Sequence, residues 1–543
     1  MHDVDLIFIA QSEVVNYAQY SNLPLDRLEL YRELVYPRMV YYQGSFRSHV
    51  DLLNMLLYGL SFQDASPDQR RKLLSIWNLP SLSGMHIANY LWTHGFRTFI
   101  VNNFDAELDR FAEIYSNCSR PPLVGISSTF HLSYSELLRL TRSLRTFDTN
   151  MDIAVGGAFI NGEVNNNGIE SLEKHMRRCG IDYAVHSFNS EVDLRNLLHE
   201  RKQGGDVSRV TNLAYFGASS QQKQFRHTEL RWNPPVLDET PGTWDELELP
   251  FVNRTVQMRT SSGCPFQCAF CSYPQVARGF QTMAVETVER SLQSLLRVPH
   301  VDRVVFIDDT FNVPPGRFKE MCRVFAKYDF QWYSFLRVQF VDDETVKLMR
   351  ESGCKAVYLG IESANDVVLR NMSKKATRSK FERGVELLRK HGIASVAAFV
   401  LGFPGETEQT IMDDVDFIES TGIDYFTLKE FYYMEHTPVH RDRAKYNLTG
   451  SGNKWSHGTM DSRTAYDYKM QMFRQVRNST FIDPDTSLWY LVLLQERGFS
   501  FPEITLLQKE INRVMLDQAG GIFDDEHPAF QDLRNIACER SGT

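Results

Sequence analysis

Short apolar runs alternate along the first 200 residues with longer amphipathic stretches. VDLIFIA (Val4–Ala10), FRTFIVN (Phe96–Asn102), PLVGISS (Pro122–Ser128), DIAVGG (Asp152–Gly157) and DYAVHS (Asp182–Ser187) have strand length and are bounded by polar or turn residues. Between them AELDRFAEIY, SYSELLRLTRSLRTF and IESLEKHMRRC carry apolar residues at helical spacing. Such β-α alternation predicts a doubly wound parallel sheet. A mostly helical insertion, roughly Val14–Leu82, separates the first strand from the rest.

Residues 206–250 are richer in Gly, Pro and polar residues and end in NPPVLDETPGTWDELELP, which predicts a linker. From Val256 a second series begins: VQMRTSS, then Asp302–Asp309, Gln331–Val338, Ala356–Ser363, Ser395–Phe403 and Asp424–Tyr433. Six strands with helices between them predict a partial (β/α)6 barrel, whose chemistry gathers at the carboxyl ends of its strands. The pattern divides the chain into an α/β Rossmann-like domain (1–205), a linker (206–250), a barrel (251–440) and a mainly helical region (441–543) suited to covering a substrate.

Composition narrows the partners. A net charge of −9 with no dense Lys/Arg run argues against nucleic acid. No apolar run is long enough to cross a bilayer, and MHDVDLIFIA carries acids where a signal peptide has Lys or Arg, so the expectation is a cytoplasmic protein without a membrane partner. Eight cysteines in 543 residues make no disulfide framework. Five are scattered, and Cys264, Cys268 and Cys271 fall within eight residues. Placed just after a strand, the three thiolates can fold round one face of an iron–sulfur cube and leave its fourth iron open. Structural zinc, the rival, needs a fourth Cys or His at ligand spacing, and none follows nearby.

CxxxCxxC followed by Tyr273 resembles the signature of the radical S-adenosylmethionine (SAM) superfamily. The resemblance spans about residues 255–440. It implies that Cys264, Cys268 and Cys271 hold a [4Fe–4S] cluster, whose open iron binds the amino and carboxylate groups of SAM before reductive cleavage to a 5′-deoxyadenosyl radical. It implies further that Phe270 packs near the adenine, that FIDDTF offers Asp308 and Asp309 to the methionyl amine, and that Arg337 clamps the carboxylate. GIES (Glu362, Ser363) resembles the ribose-contacting motif, and LGFPGET (Gly402) the turn near adenine. Asp308 and Asp309 serve equally well as helix caps, Arg337 as a salt-bridge residue, and the GFPGE segment as a plain turn.

The first domain, in turn, resembles cobalamin-binding domains. VGISSTF and VGGAFING look like two of their strand ends, which implies corrinoid contacts from Ser127, Ser128, Thr129, Gly156 and Gly157; Glu191 is the remnant of a GEGE-like turn. AQSEVVNYAQY lacks the histidine of a DxHxxG loop, and His94 reads as a helix-end residue, so no axial cobalt ligand is legible. Together the modules resemble cobalamin-dependent radical SAM methylases, which implies methylation of an unactivated carbon, or phosphorus, in a natural-product intermediate or peptide, with an external electron donor such as flavodoxin or ferredoxin. Tyr432 and Tyr433, with Glu435 and His436, follow the sixth strand and are candidate substrate or catalytic contacts. A non-methylating rearrangement, ring contraction or cyclisation is the alternative outcome. A methylthiotransferase would need three further N-terminal cysteines, and a corrinoid or electron carrier would need a reason for the missing fourth ligand.

Overall fold

The computed structural model describes residues 3–12, 21–131, 133–217, 224–240 and 242–541. The first sheet contains β1 (Leu6–Gln11), β2 (Thr98–Asn103), β3 (Leu123–Ser127), β4 (Ile153–Gly156), β5 (Tyr183–Val185), β6 (Leu213–Gly217) and β7 (Gln224–His227), in the order β2-β1-β3-β4-β5-β6-β7. The first five are mutually parallel and the last two antiparallel. Every residue of β1 is buried, as expected of a central strand covered on both faces. Strand order reverses between β1 and β3, and beyond the carboxyl ends at such a switch point doubly wound folds open a ligand crevice. β6 and β7 correct the linker expectation in part: nine residues within 206–250 extend this sheet. β7 escapes an apolar-run search because it is a largely exposed edge strand.

The insertion after β1 is helical in part, and also holds an antiparallel hairpin, Met39–Tyr42 with Ser45–Ser48. It ends in the helix Leu82–Thr93, which is the crossover from β1 to β2. Gly84 brings that helix close, since a Cβ there would lie 2.7 Å from the Ala10 Cβ.

The second sheet is parallel throughout, in the order β8 (Thr255–Met258), β9 (Arg303–Phe306), β10 (Gln331–Leu336), β11 (Cys354–Glu362), β12 (Ala394–Leu401), β13 (Tyr425–Glu430) and β14 (Thr480–Phe481). The two-residue β14 adds a seventh strand to the six expected, and β8 and β14 do not pair, which leaves the barrel open. One apolar core runs from the insertion through the barrel into the C-terminal helices. Polar ties cross the same boundary: Tyr41 N–H donates to Gln518 Oε1 (2.8 Å), Gln518 Nε2 to Tyr41 O (2.7 Å), and Arg534 Nη2 to the Tyr42 hydroxyl (2.7 Å). Among the described residues no helix is long and apolar enough to cross a membrane.

Candidate active site

The cysteine loop begins where β8 ends. Ser261–Gly263 pairs antiparallel with Phe280–Thr282, so the segment carrying Cys264, Cys268 and Cys271 is pinched at its base. Gly263 has φ +81° and a Cβ there would lie 1.7 Å from Gly279 O, so only glycine fits. Three contacts pin the loop: Ala269 N–H donates to Met372 O (2.8 Å), Val439 N–H to Ala269 O (2.9 Å), and Gly263 N–H to the Tyr273 hydroxyl (3.2 Å).

Asp308, just past β9, is buried and accepts from Thr260 N (2.9 and 3.1 Å), Thr260 Oγ1 (3.3 Å) and Ser261 Oγ (2.5 Å). Burial raises its pKa although these donors pull the other way. This corrects the expectation of a free acceptor for a methionyl amine: Asp308 fastens the hairpin that carries the cysteines. Asp309 is exposed, yet desolvation by its surroundings raises its pKa to about 6, against a hydrogen bond from Tyr273. Of the FIDDTF pair, Asp309 is the exposed carboxylate.

The three thiols sense one another. Burial raises Cys271 to about 11, with Cys268 and Cys264 adding to the rise, and burial raises Cys264 likewise. As free thiols Cys264 and Cys271 hold their protons, which a bound cation would displace. Among the described residues no group of three or more His, Cys, Asp or Glu is arranged to hold a metal ion. Among the described residues, then, the trio is not drawn in round a single ion and no fourth Cys or His joins it. Three soft sulfur donors on one pinned loop suit a cube with an open iron, whereas structural zinc wants a fourth ligand.

Opposite the loop, Arg337 is buried and its guanidinium lies 3.7 Å from the centroid of Phe266, inside the cysteine motif. Its Nη2 donates to Lys374 O (2.6 Å), while its Nε is buried without a partner. This replaces the surface-salt-bridge alternative with a stacked guanidinium that still has a donor to offer. Glu362, at φ +66°, accepts from Lys374 Nζ at 2.8 Å, and that ammonium lies 5.9 Å from the Phe270 ring centroid. Ser363 does not reach the cleft: fully buried, it donates to Asp414 Oδ1 at 3.1 Å. Gly402 has φ +87° and stands against Trp455, whose ring a Cβ would meet at 2.3 Å; Glu406 closes the turn by accepting from Gly402 N and Phe403 N. Phe403 faces Phe270 edge-on at 6.3 Å.

Tyr433 is 3% exposed, packs with Phe431 and Trp455 in an apolar cluster, and its hydroxyl is 2.7 Å from His440 Nδ1. Packing, rather than substrate contact, is what this position does. Tyr432 is 52% exposed, and Glu435 and His436 are exposed too.

A cavity of about 240 Å³ opens at the carboxyl ends of β1, β3, β4 and β5. Ser127, Thr129, Gly156 and Gly157 line it. Ser128 does not: it donates to Gly156 O at 2.7 Å and ties two strand ends together. Gly157 has φ +108°, and a Cβ there would press on Thr129 N and Oγ1 at 3.0 Å. Strand ends built of Gly, Ser and Ala make a cradle that larger side chains would fill, which fits a broad flat ring. Across the cavity stand His86, Glu191 and Arg259. His86 Nε2 is 3.2 Å from Glu191 Oε1 and 3.3 Å from Arg259 Nη2. Burial lowers the His86 pKa; it works against Glu191 too, but His86 and Arg259 hold that carboxyl below its ordinary value. His94 caps its helix, Nδ1 2.7 Å from Tyr90 O. Most of the AQSEVVNYAQY stretch, residues 13–20, lies outside the described residues.

Sequence reasoning missed His86, Arg259, Lys374 and Trp455. Each works through a partner distant in the chain, and no local pattern marks such pairings. The run PSLSGMHIANYLWTHGF, a capped helix leading into a strand, was the one signal for His86.

Residues 258–418 match the family model described as the Radical SAM superfamily. Among curated proteins the chain is 27% identical over 323 residues to an uncharacterized methyltransferase of Pyrococcus horikoshii, an alignment covering 58% of this chain and 67% of the relative. It is 30% identical over 201 residues to the bacteriochlorophyllide d C-12(1)-methyltransferase of Chlorobaculum tepidum, covering 35% of this chain but only 44% of that protein. The fold resembles that of the cobalamin-dependent S-adenosylmethionine radical enzyme OxsB, solved with aqua-cobalamin and S-adenosylmethionine bound (TM-score 0.55, 14% identity, 86% of this chain and 82% of that one). It also resembles the radical S-adenosylmethionine methyltransferase TsrM from Kitasatospora setae (TM-score 0.52, 17% identity, 70% and 75%).

Proposed function

We propose that this chain, whose residues 258–418 match the Radical SAM superfamily model, is a cobalamin-dependent methyltransferase acting on an unactivated carbon, or phosphorus, of a small natural-product intermediate or peptide. The observation that carries this reading is the meeting of two sites. Arg259 lines the first domain's cavity and Cys264 follows five residues later; Phe188 of the same cavity meets Tyr273, two residues beyond Cys271.

When bound, the cluster and SAM supply a radical able to take hydrogen from an unactivated position, and a corrinoid supplies a transferable methyl group. The protein's own part is binding and exclusion. Cys264, Cys268 and Cys271 hold the cluster, and the Asp308 tie fixes the angle at which their loop leaves β8. Arg337, stacked on Phe266 with Nε unused, is placed to receive a carboxylate. The Glu362–Lys374 pair and Phe270 offer a polar and an aromatic edge to a nucleoside. Ser127, Thr129, Gly156 and Gly157, at the β3 and β4 ends, would hold the corrinoid. The packed aromatics Phe403, Phe431 and Trp455 keep water from one side of the barrel mouth.

The test is anaerobic reconstitution with iron and sulfide, loading with cobalamin, and assay for 5′-deoxyadenosine and for product mass. SAM cleavage together with a product 14 mass units heavier than substrate, about one methylene, supports the proposal. Cleavage with a product of unchanged mass replaces methylation by rearrangement, and absence of cleavage removes the enzyme reading.

A further inference from the structure

The helix Leu82–Thr93 is the crossover between β1 and β2, so its first turns stand beside the carboxyl end of β1, at the switch point of the sheet. His86 lies there, on the cavity wall across from Gly156 and Gly157. Its ring is 8% exposed, and its Nε2 is taken by Glu191 Oε1 and Arg259 Nη2. These two neighbours compete for one nitrogen. Glu191 is the closer and, as an anion steadied by Arg259 at 3.8 Å, forms the charge-assisted bond. The ring therefore donates from Nε2 and leaves the Nδ1 lone pair free; no hydrogen bond to Nδ1 is made among the described residues. A histidine whose far nitrogen donates to a carboxylate is the arrangement proteins use to fix the tautomer of a metal ligand.

A closed structural triad would satisfy its own members. Here Glu191 Oε2 and Arg259 Nε are buried without partners. The cluster therefore leaves polar atoms of its own members unpaired.

We infer that His86 Nδ1 is the axial nitrogen ligand to the cobalt of a corrinoid seated in this cavity, with Glu191 and Arg259 as its positioning residues. The inference rests on the corrinoid reading proposed above. The bond is a neutral donor–acceptor one: the imidazole lone pair enters an axial position and the ligand already there, water or the corrinoid's own base, leaves with its electron pair.

The test uses the full chain loaded with cobalamin and reduced to the cob(II)alamin state, read by electron paramagnetic resonance. One nitrogen ligand splits the cobalt lines into three. In protein grown on ¹⁵N-histidine the expected splitting is into two, and in His86→Ala the splitting that responds to the label disappears while corrinoid absorbance remains. The ¹⁵N measurement on unsubstituted protein decides the matter even if His86→Ala fails to fold. Lines without nitrogen splitting, splitting that ignores the label, or label-sensitive splitting that persists in a folded His86→Ala protein each overturn the inference and leave the corrinoid reading intact. Absence of corrinoid absorbance overturns both.

Discussion

Phe188, in the loop after β5, meets Tyr273 edge-on with ring centroids 6.1 Å apart. One belongs to the first domain's cavity and the other follows the cysteine motif, so a single aromatic contact separates the two sites. Each ring is anchored within its own domain, Phe188 on the cavity wall and Tyr273 by the hydrogen bond from Gly263 N. The contact therefore reports how the two domains face each other across the reaction space.

Truncating this pair should loosen the wall more than the fold. Phe188→Ala is expected to cost about 1–3 kcal/mol and to raise the ratio of 5′-deoxyadenosine formed to substrate modified. Parallel quantification of both products checks this; an unchanged ratio would show that the contact does not seal the site.

Single replacement of Cys264, Cys268 or Cys271 by Ala should abolish iron binding without unfolding the chain, because the main apolar core excludes the loop, and only Ala269 and Phe270 join a separate small cluster. Iron and sulfide content beside far-ultraviolet circular dichroism gives the answer. A variant with full iron content would remove that cysteine from the ligand set.

Asp308→Ala removes the acceptor for Thr260 N, Thr260 Oγ1 and Ser261 Oγ, all in a buried setting. Leaving those donors unsatisfied should destabilise the chain by roughly 2–4 kcal/mol and lower iron retention through the misplaced hairpin. Denaturant midpoints and iron content on one preparation test both halves.

Gly402→Ala combines a left-handed backbone, unfavourable to an L residue, with a Cβ driven into the Trp455 ring. A loss of about 3 kcal/mol is expected. Trp455→Ala should relieve the steric part only, so a double-mutant cycle should return a coupling of about 1 kcal/mol or more.

Asp414 is a buried acid whose Oδ1 accepts from Ser363 and Ala364 while Oδ2 has no partner. Burial raises its pKa from 3.8 to about 8, so the folded chain keeps a proton there that the unfolded chain releases. The stabilisation is complete below about pH 4 and is lost as pH rises to about 8. Asp414→Asn retains the acceptor oxygen and does not titrate. Its stability relative to the unsubstituted chain should therefore improve steadily between pH 5 and pH 8 in urea denaturation. A constant difference would mean that Asp414 is already ionised at pH 5. Glu406, raised well above its ordinary value by burial and then by Asp414, adds to the same trend in the unsubstituted chain.

The strands were legible because uninterrupted apolar runs such as Leu6–Ala10 and Ser395–Leu401 mark two-sided burial. β7 was not, since QFRH is an edge strand held by backbone pairing and carries almost no buried side chain. The cysteine spacing is local, so the three thiols could be picked out from the chain alone. Asp308 and Ser363 looked like cleft residues because they follow strand ends, yet each turns its polar atoms inward to Thr260 or Asp414. His86 was hidden for another reason: about 70 residues separate it from β1, so a search just after that strand reads the wrong segment. Arg337 on Phe266 and Trp455 on Gly402 are likewise made by the fold and leave no trace in local spacing.

The hairpin at Met39–Ser48 finishes its packing against Gln518 and Arg534, residues that leave the ribosome almost 500 positions later. During translation this early segment must wait, its apolar face uncovered, until the closing helices emerge. Shortened chains ending before residue 518 should accordingly be insoluble or captured by chaperones, however complete their cysteine loop.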